Sequence, residues 1–290
     1  MTITASIVTY NHHLLDFEPV LRSLFASPVQ TVYVVDHSDS MLELKAELQE
    51  FGRRVLKGEP GLRRKVDEGF QLVYLPHVNN GYGGGHNVAL REARKMGSKY
   101  HLIVNPDVWF GPEVLPKLVA YMEEHEDVGQ MMPKVLYPNG EIQRLAKMLP
   151  APLDIFGRFC LPHFLINHRN SRFELRQSGF TKIINAPFLS GCFMFMRMSA
   201  LDEVGLFDEN FFMYAEDIDM TRRMHQKYKT LYYPCATIYH TFTRGSHKSL
   251  RLLFIHIISI IKYFNKWGWV NDEERRAVNR DVMQQIGGAV

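Results

Sequence analysis

Apolar positions in the first hundred residues follow two alternating rhythms. Ile3 to Val8, Thr31 to Val35, Leu72 to Leu75 and Leu102 to Val104 are short apolar, partly β-branched runs that predict buried strands. Leu14 to Phe25, Met41 to Phe51 and Asn87 to Met96 carry apolar residues at helical spacing instead. Strand and helix alternating at this interval predict a parallel sheet with crossover helices. Ligands of such sheets sit beyond the carboxyl ends of the strands. There the chain has Thr9-Tyr10-Asn11, then Asp36-His37-Ser38-Asp39, then His77 to Gly85, then Asn105-Pro106-Asp107. All four segments are polar and two carry acids, so they converge on one candidate site.

The rhythm then changes. Residues 150 to 182 hold Pro150, Pro152 and Pro162 among mixed aromatic and basic residues, which predicts an irregular loop or lid over a substrate. An apolar, strand-like run returns over 183 to 197, broken at Ser190-Gly191. Asp217 to Tyr228 reads as a helix, Ser249 to Gly268 as an amphipathic helix rich in Ile, Phe and Trp, and Asp272 to about Ile286 as a charged helix. The expected division is an α/β domain over 1–245 and an amphipathic helical segment over 246–290.

Composition narrows the class. The 290 residues are 46% hydrophobic and 22% charged, enough for one large core and too apolar for a disordered chain. Cys160, Cys192 and Cys235 are odd in number and widely spaced, which fits a reducing cytosol better than a disulfide framework. The amino terminus enters a strand pattern at once, so no signal peptide and a cytoplasmic location are expected. The apolar run from Leu252 to Ile261 is half the length of a spanning helix. Net charge is only +3, yet Met220 to Asn271 contains no acid and nine cations: Arg222, Arg223, Lys227, Lys229, Arg244, Lys248, Arg251, Lys262 and Lys266. Such a stretch attracts diphosphate or acidic lipid, or is a solvated face. Its interleaving with apolar patterns argues against a nucleic-acid groove.

Several motifs carry candidate chemistry, each beside a structural alternative. Asp107 follows a buried strand, where a carboxylate can hold Mg²⁺ or Mn²⁺ and Asn105 can add an amide oxygen; a turn would use the same residues. The run Asn79 to Asn87 is glycine-dense and leads into a helix, so it serves as an anion loop or as a flexible turn. Asp36 can accept from a nucleobase or ribose, or the next helix can be capped through Asp39 or Ser40. Glu216-Asp217-Ile218-Asp219 opens a helix, where a carboxylate can act as general base and where the macrodipole favours acids anyway. His240 or His247 could complete a metal shell or be structural.

The ordered set Ile7-Val8-Thr9-Tyr10-Asn11, Val34-Val35-Asp36, Asn80-Gly81-Tyr82 through Asn87, Leu102 to Asp107, Gly191-Cys192-Phe193 and Val204 to Asp219 resembles the family 2 glycosyltransferases, and among them the rhamnosyltransferase-like branch. The resemblance runs from about residue 3 to 245. It implies the GT-A fold: an α/β domain with a Rossmann-like central mixed sheet, here with a C-terminal helical extension. It implies a nucleoside pocket at Thr9, Tyr10, Asn11 and Asp36, with Asn80, Gly84, Asn87 and Asn105 near ribose and diphosphate. It further implies a metal, Mn²⁺ or Mg²⁺, on Asp107, with Asp217 as base and Glu216 orienting the acceptor; His240 is the candidate second metal ligand from its own position in the chain. The chain departs from the family at Asp36-His37-Ser38, where Asp-Asn or Asp-Asp is usual, and at Asn105, where an aspartate often stands.

The expected activity is inverting transfer of a sugar from a nucleotide diphosphate donor, dTDP-L-rhamnose first and a UDP-sugar second, to a saccharide or lipid-linked saccharide of a cell-surface polysaccharide. A nucleotidyltransferase would need a glycine- and cation-rich loop after the first strand, and residues 9 to 13 lack both. A binding protein without activity would not need Asp107, Glu216 and Asp217. The apolar C-terminal helix, with Lys262 and Lys266, fits peripheral contact with a membrane; it equally fits packing on the domain or a homodimer through these helices.

Overall fold

Strands β1 (Ile3–Thr9), β2 (Thr31–Asp36), β3 (Gln71–Pro76) and β4 (Tyr100–Val104) pair in parallel in the order β3-β2-β1-β4. The structure is a computed structural model, and it describes residues 1–39, 41–58, 69–160, 162–241 and 250–287. Ser40, Arg244, His247, Lys248 and the expected boundary at 245/246 lie outside them. Helices α1 (Leu14–Phe25), α2 (Met41–Gly58) and α3 (Gly81–Lys95) make the crossovers. Period-two alternation lets β2 bury both faces. Val32 and Val34 meet Phe17, Leu21 and Leu24 of α1, while Tyr33 and Val35 join the cluster holding Ala89 and Leu90 of α3.

The sheet is mixed beyond β4. After β5 (Val108–Phe110), α4 (Val114–Glu124), β6 (Val128–Leu136), β7 (Ala146–Lys147), α5 (Pro152–Cys160), α6 (His163–Phe173), β8 (Ile184–Asn185) and β9 (Phe188–Leu189), strand β10 (Phe193–Arg197) runs antiparallel to β4. Helices α7 (Met198–Val204) and α8 (Glu216–His225) lead to β11 (Lys229–His240), which lies between β6 and the edge strand β5. A separate ribbon pairs β7 with β9. Helices α9 (Leu250–Trp267) and α10 (Glu273–Gln285) close the chain.

Three expectations change. Residues 150 to 182 are not an irregular loop, since α5, α6 and a 3-10 turn at Arg176–Ser178 occupy most of them. The prolines start helices: Pro152 is the first residue of α5 and Pro162 is the N-cap of α6, places where no intrahelical N–H is needed. The glycine run is not a loop before a helix, because Gly83, Gly84 and Gly85 lie within the first turns of α3. Nor does the acid-free stretch form a one-sign surface. Acids from elsewhere neutralise it: Arg222 pairs with Asp272 and Glu274, Arg223 with Asp219, Lys227 with Glu203, Lys229 with Asp127, and Lys266 with Asp208 and Asp219.

The C-terminal helices pack on the domain. Ile260, Tyr263 and Phe264 of α9 share a cluster with Phe211, Ala215 and Ile218. Among the described residues no helix is long and apolar enough to cross a membrane.

Gly81 is required by a close backbone approach. Its φ is +84°, and a Cβ there would lie 1.8 Å from the Phe212 carbonyl oxygen, which accepts the Tyr82 N–H. Gly81→Ala is expected to cost at least about 1–2 kcal/mol from the backbone angle alone. The clash with main chain adds to that figure. Urea unfolding measures it, and a wild-type midpoint would refute the strain.

Candidate functional site

The register of the sheet edge brings distant residues together. β5 pairs β11 with Val108 opposite His240, so Asp107, one residue before β5, meets the last residue of β11. His240 Nε2 stands 3.2 Å from Asp107 Oδ1. The Gln143 amide donates to the His240 carbonyl at 2.6 Å, which turns Gln143 Oε1 toward His240 Nδ1 at 2.9 Å. Nδ1–H therefore donates to Gln143, and Nε2 is left aimed at the carboxylate. Burial works against a charge on this ring, but the Cys192 sulfur and the Asp107 carboxylate outweigh it and lift His240 to about 10. A proton thus bridges nitrogen and carboxylate. Without it, the pair offers one oxygen and one nitrogen to a divalent cation. Among the described residues no cluster of three or more His, Cys, Asp or Glu is placed for a metal, so phosphate and water oxygens would fill the remaining positions.

The acid pair opens α8. Asp217 Oδ2 accepts the Gly191 N–H at 2.9 Å, and Asp217 Oδ1 accepts the Ile218 N–H at 2.9 Å. Gly191 in turn accepts the Tyr82 hydroxyl at 2.6 Å, and the Cys192 carbonyl accepts the Asn105 N–H at 2.9 Å. The dipeptide Gly191-Cys192 therefore spans from Asp217 on one side to the Asn105-Pro106-Asp107 turn on the other. Burial raises the Tyr82 hydroxyl well above its usual range, and three carboxyl groups, Glu216, Asp217 and Asp107, and the Cys192 thiol add to the rise.

Burial pushes both carboxyls of the pair upward. Glu216 rises further, because Asp217 stands beside it, whereas Asp217 is supported by two backbone N–H groups. The two backbone N–H groups favour the ionised form of Asp217, whereas Glu216 Oε2 is buried without a partner. The preceding Tyr214 and Ala215 have φ of +68° and +65°, consecutive left-handed positions for residues with a Cβ. Such strain collects where a side chain must be aimed.

On the nucleoside side, Asp36 is completely buried. Its Oδ1 accepts from the Thr9 hydroxyl, the Ser38 N–H and the Ser38 hydroxyl at 2.6–3.2 Å, and its Oδ2 accepts from Tyr74 at 2.8 Å. A nucleobase would have to share this carboxylate, and Thr9 is spent on it. Tyr10 is 45% exposed and Asn11, with φ of +52°, is anchored by its N–H to Ser38 Oγ. Asn80 stands at the N-cap position of α3 without a side-chain capping bond, and its Oδ1 is buried and unpartnered.

Two residues expected near the diphosphate have protein neighbours in the structure. Asn87 is 1% exposed, and its amide both donates to the Phe207 carbonyl and Glu209 and accepts the Phe207 N–H, so it clamps the 207–209 turn. A Cβ on Gly84 would lie 2.5 Å from the Asn80 amide, which makes Gly84 a packing glycine beneath Asn80.

Tyr82, Gln143, Lys147 and Cys192 have parts that the sequence reading did not assign. Lys147 lies close enough to Asp217 for its charge to ease ionisation there. Tyr82 and Cys192 stand inside quoted motifs; nothing local distinguishes Gln143.

The profile of Glycosyltransferase like family 2 matches residues 17–254. Two curated relatives, from the CDC 1551 / Oshkosh and H37Rv strains of Mycobacterium tuberculosis, are N-acetylglucosaminyl-diphospho-decaprenol L-rhamnosyltransferases, each 26% identical over 178 residues. The match covers 56% of this chain and 56% of theirs, so the chain spans about half the length of these relatives. Among solved structures, GalNAc-T7 with UDP, GalNAc and Mn²⁺ is similar at a TM-score of 0.62 and 13% identity, over 99% of this chain and 55% of that one. The mannosyltransferase PcManGT from Pyrobaculum calidifontis, with GDP-Man and Mn²⁺, has a TM-score of 0.55 and 14% identity, over 99% and 76% of the two chains. S. aureus TarS reaches 0.55 and 16%, over 98% and 43%.

Proposed function

Because this chain belongs to the glycosyltransferase family 2, with a GT-A fold, we propose that it transfers a sugar from a nucleotide diphosphate donor to an acceptor hydroxyl with inversion. The observation that carries this reading is the Gly191-Cys192 link, which connects the Asp217 carboxylate to the turn that holds Asp107 through two backbone hydrogen bonds.

Asp217 is the base. Its raised affinity for a proton suits removal of the acceptor hydroxyl proton as that oxygen attacks the anomeric carbon, and the broken bond leaves its electron pair on the diphosphate. Glu216, protonated beside it, orients the acceptor. Tyr10, Asn11 and the unpartnered Asn80 Oδ1 meet the nucleoside, with Asp36 and Thr9 holding their strand ends in place. Asp107 and His240 would hold Mn²⁺ or Mg²⁺, and Asn105 flanks them. When bound there, the cation neutralises charge on the diphosphate leaving group.

The rhamnosyltransferase relatives favour dTDP-L-rhamnose as donor, with UDP-sugars next. They also favour a saccharide on a lipid diphosphate as acceptor. A thermal-shift screen of nucleotide diphosphates with Mn²⁺ tests the donor: selective stabilisation by thymidine or uridine diphosphate is expected, and equal response to every base would refute the pocket. Chelator should also abolish transfer, with Mn²⁺ restoring it; undiminished turnover in EDTA would remove the cation from the scheme.

A further inference from the structure

A cleft of about 480 Å³ opens between α6 and α10, and neither Glu216 nor Asp217 is among its lining residues. Arg169, Arg172, Arg275, Arg276 and Arg280 line it, with Asp154 as the acid among its lining residues. Asp154 is taken by Arg169 at 2.5 Å, and Arg275 leans on Asp272 at 3.5 Å. Arg276 bonds only a neutral carbonyl, that of Val270, and the Arg172 and Arg280 side chains have no partner among the described residues. Three guanidinium charges therefore face the cleft without an acid. Planar guanidinium forks match phosphate oxygens, and several around one cavity select a multiply charged anion.

Two exposed apolar residues adjoin residues of this cleft: Leu153, next to Asp154 in the chain, is 56% exposed, and Val270, whose carbonyl accepts from Arg276, is 70% exposed. Helix α5 joins the cleft to a second feature: Asp154 faces the arginines, while Ile155 and Phe156 face His256, Ile257 and Ile260 of α9. On α9, Leu250, Phe254, Ile258 and Ile261 form one outward stripe at helical spacing. Lys262 and Lys266 do not serve this stripe. Lys262 donates to the Asn210 carbonyl and Lys266 pairs with Asp208 and Asp219.

We propose that the α6–α10 cleft binds the phosphate of an anionic membrane lipid while the α9 stripe, Leu153 and Val270 enter the interface. Charge complementarity sets the occupant: an apolar stripe alone would suit any apolar partner, whereas one accompanied by unneutralised arginines, with α5 contributing to both features, suits a surface of acyl chains under phosphates. The proposal extends the lipid-linked acceptor reading above and rests on it only for the reason a membrane is present.

Co-sedimentation of the full chain tests it with vesicles of phosphatidylcholine alone, and of phosphatidylcholine with an equal amount of phosphatidylglycerol. Binding to the mixed vesicles and not to the neutral ones is expected. Arg172→Gln with Arg280→Gln should weaken it about thirty-fold, about five-fold for each cation removed near such a surface. Phe254→Ser with Ile258→Ser should weaken it as well. Neither pair of residues is bonded into the fold, so thermal unfolding and the shift produced by nucleotide diphosphate with Mn²⁺ should match wild type. That readout separates failure here from failure of the transferase reading. Absence of wild-type binding to mixed vesicles, or equal binding by the arginine variant, overturns the proposal. Saturable binding of inorganic phosphate with no vesicle binding also overturns it, and reassigns the cleft to a soluble phosphate.

Discussion

Asp217→Asn slows sugar transfer by about 10²–10⁴-fold, the usual loss when a general base is removed. The amide keeps an oxygen for one of the two backbone N–H groups that Asp217 now accepts, from Gly191 and Ile218, so fold and donor affinity should survive. Glu216 falls back toward the ordinary carboxylate range, because part of its elevation comes from the neighbouring Asp217 charge. The pH profile is the sharper test. In the wild type, transfer rises with pH as Asp217, itself raised by burial, loses its proton. In the Asn variant that acidic limb should vanish, leaving a low rate that does not follow Asp217's titration. Purified enzyme, a donor and a short acceptor suffice for the measurement. Turnover within a few-fold of wild type, or a retained acidic limb, would assign the proton transfer to another group.

The positions of Thr9, Asp36 and Asp107 are legible in the sequence because strand ends are legible. Residues directly after a buried β-branched run must emerge at the carboxyl edge, so Thr9, Asp36 and Asp107 are positioned by periodicity alone. His240 follows from the same logic at the end of β11, although only the antiparallel pairing with β5 brings it to Asp107. What stayed hidden depends on partners far along the chain. Gln143 orients His240 across 97 residues, and no pattern around it announces that. The prolines of 150–182 suggest an irregular loop, yet two of them sit at helix starts, and apolar residues between them find their partners on α9, more than a hundred residues on. The glycines of 81–85 pack against Phe212, Phe207, Asn80 and Val8, so their reason is closeness and not looseness. The acid-free stretch looked like an anion-attracting surface because a linear count cannot see Asp127, Glu203 and Asp208 folding back onto it.

Arg222→Met is expected to destabilise the protein by about 3–5 kcal/mol, the usual cost of leaving a buried charge without its partner. The guanidinium is 2% exposed and grips Asp272 through two bonds of 2.7 and 2.8 Å, reaches Glu274 at 2.6 Å and lies 4.1 Å over the Trp267 ring. Methionine fills much of the volume, so the loss is electrostatic more than a cavity. Asp272 is then buried with only the Arg275 N–H and the more distant Arg275 side chain for support. The pH dependence follows. Burial alone would raise the Asp272 carboxyl, but Arg222 outweighs it and holds it below the usual range, so this stabilisation is present above the unfolded carboxylate value near 4 and disappears as pH falls through the lower folded value. The gap between wild type and variant should therefore be full at neutral pH and narrow in acid. Asp272→Leu added to Arg222→Met should recover part of the loss, since the stranded charge is gone. Urea unfolding across pH reads all three. The ion pair also anchors α8 from its second turn, with the acid pair on its first, so activity lost in Arg222→Met should return on cooling or with ligand, whereas activity lost in Asp217→Asn should not. Equal stability of wild type and Arg222→Met at neutral pH would mean that the C-terminal helices do not lock the catalytic helix.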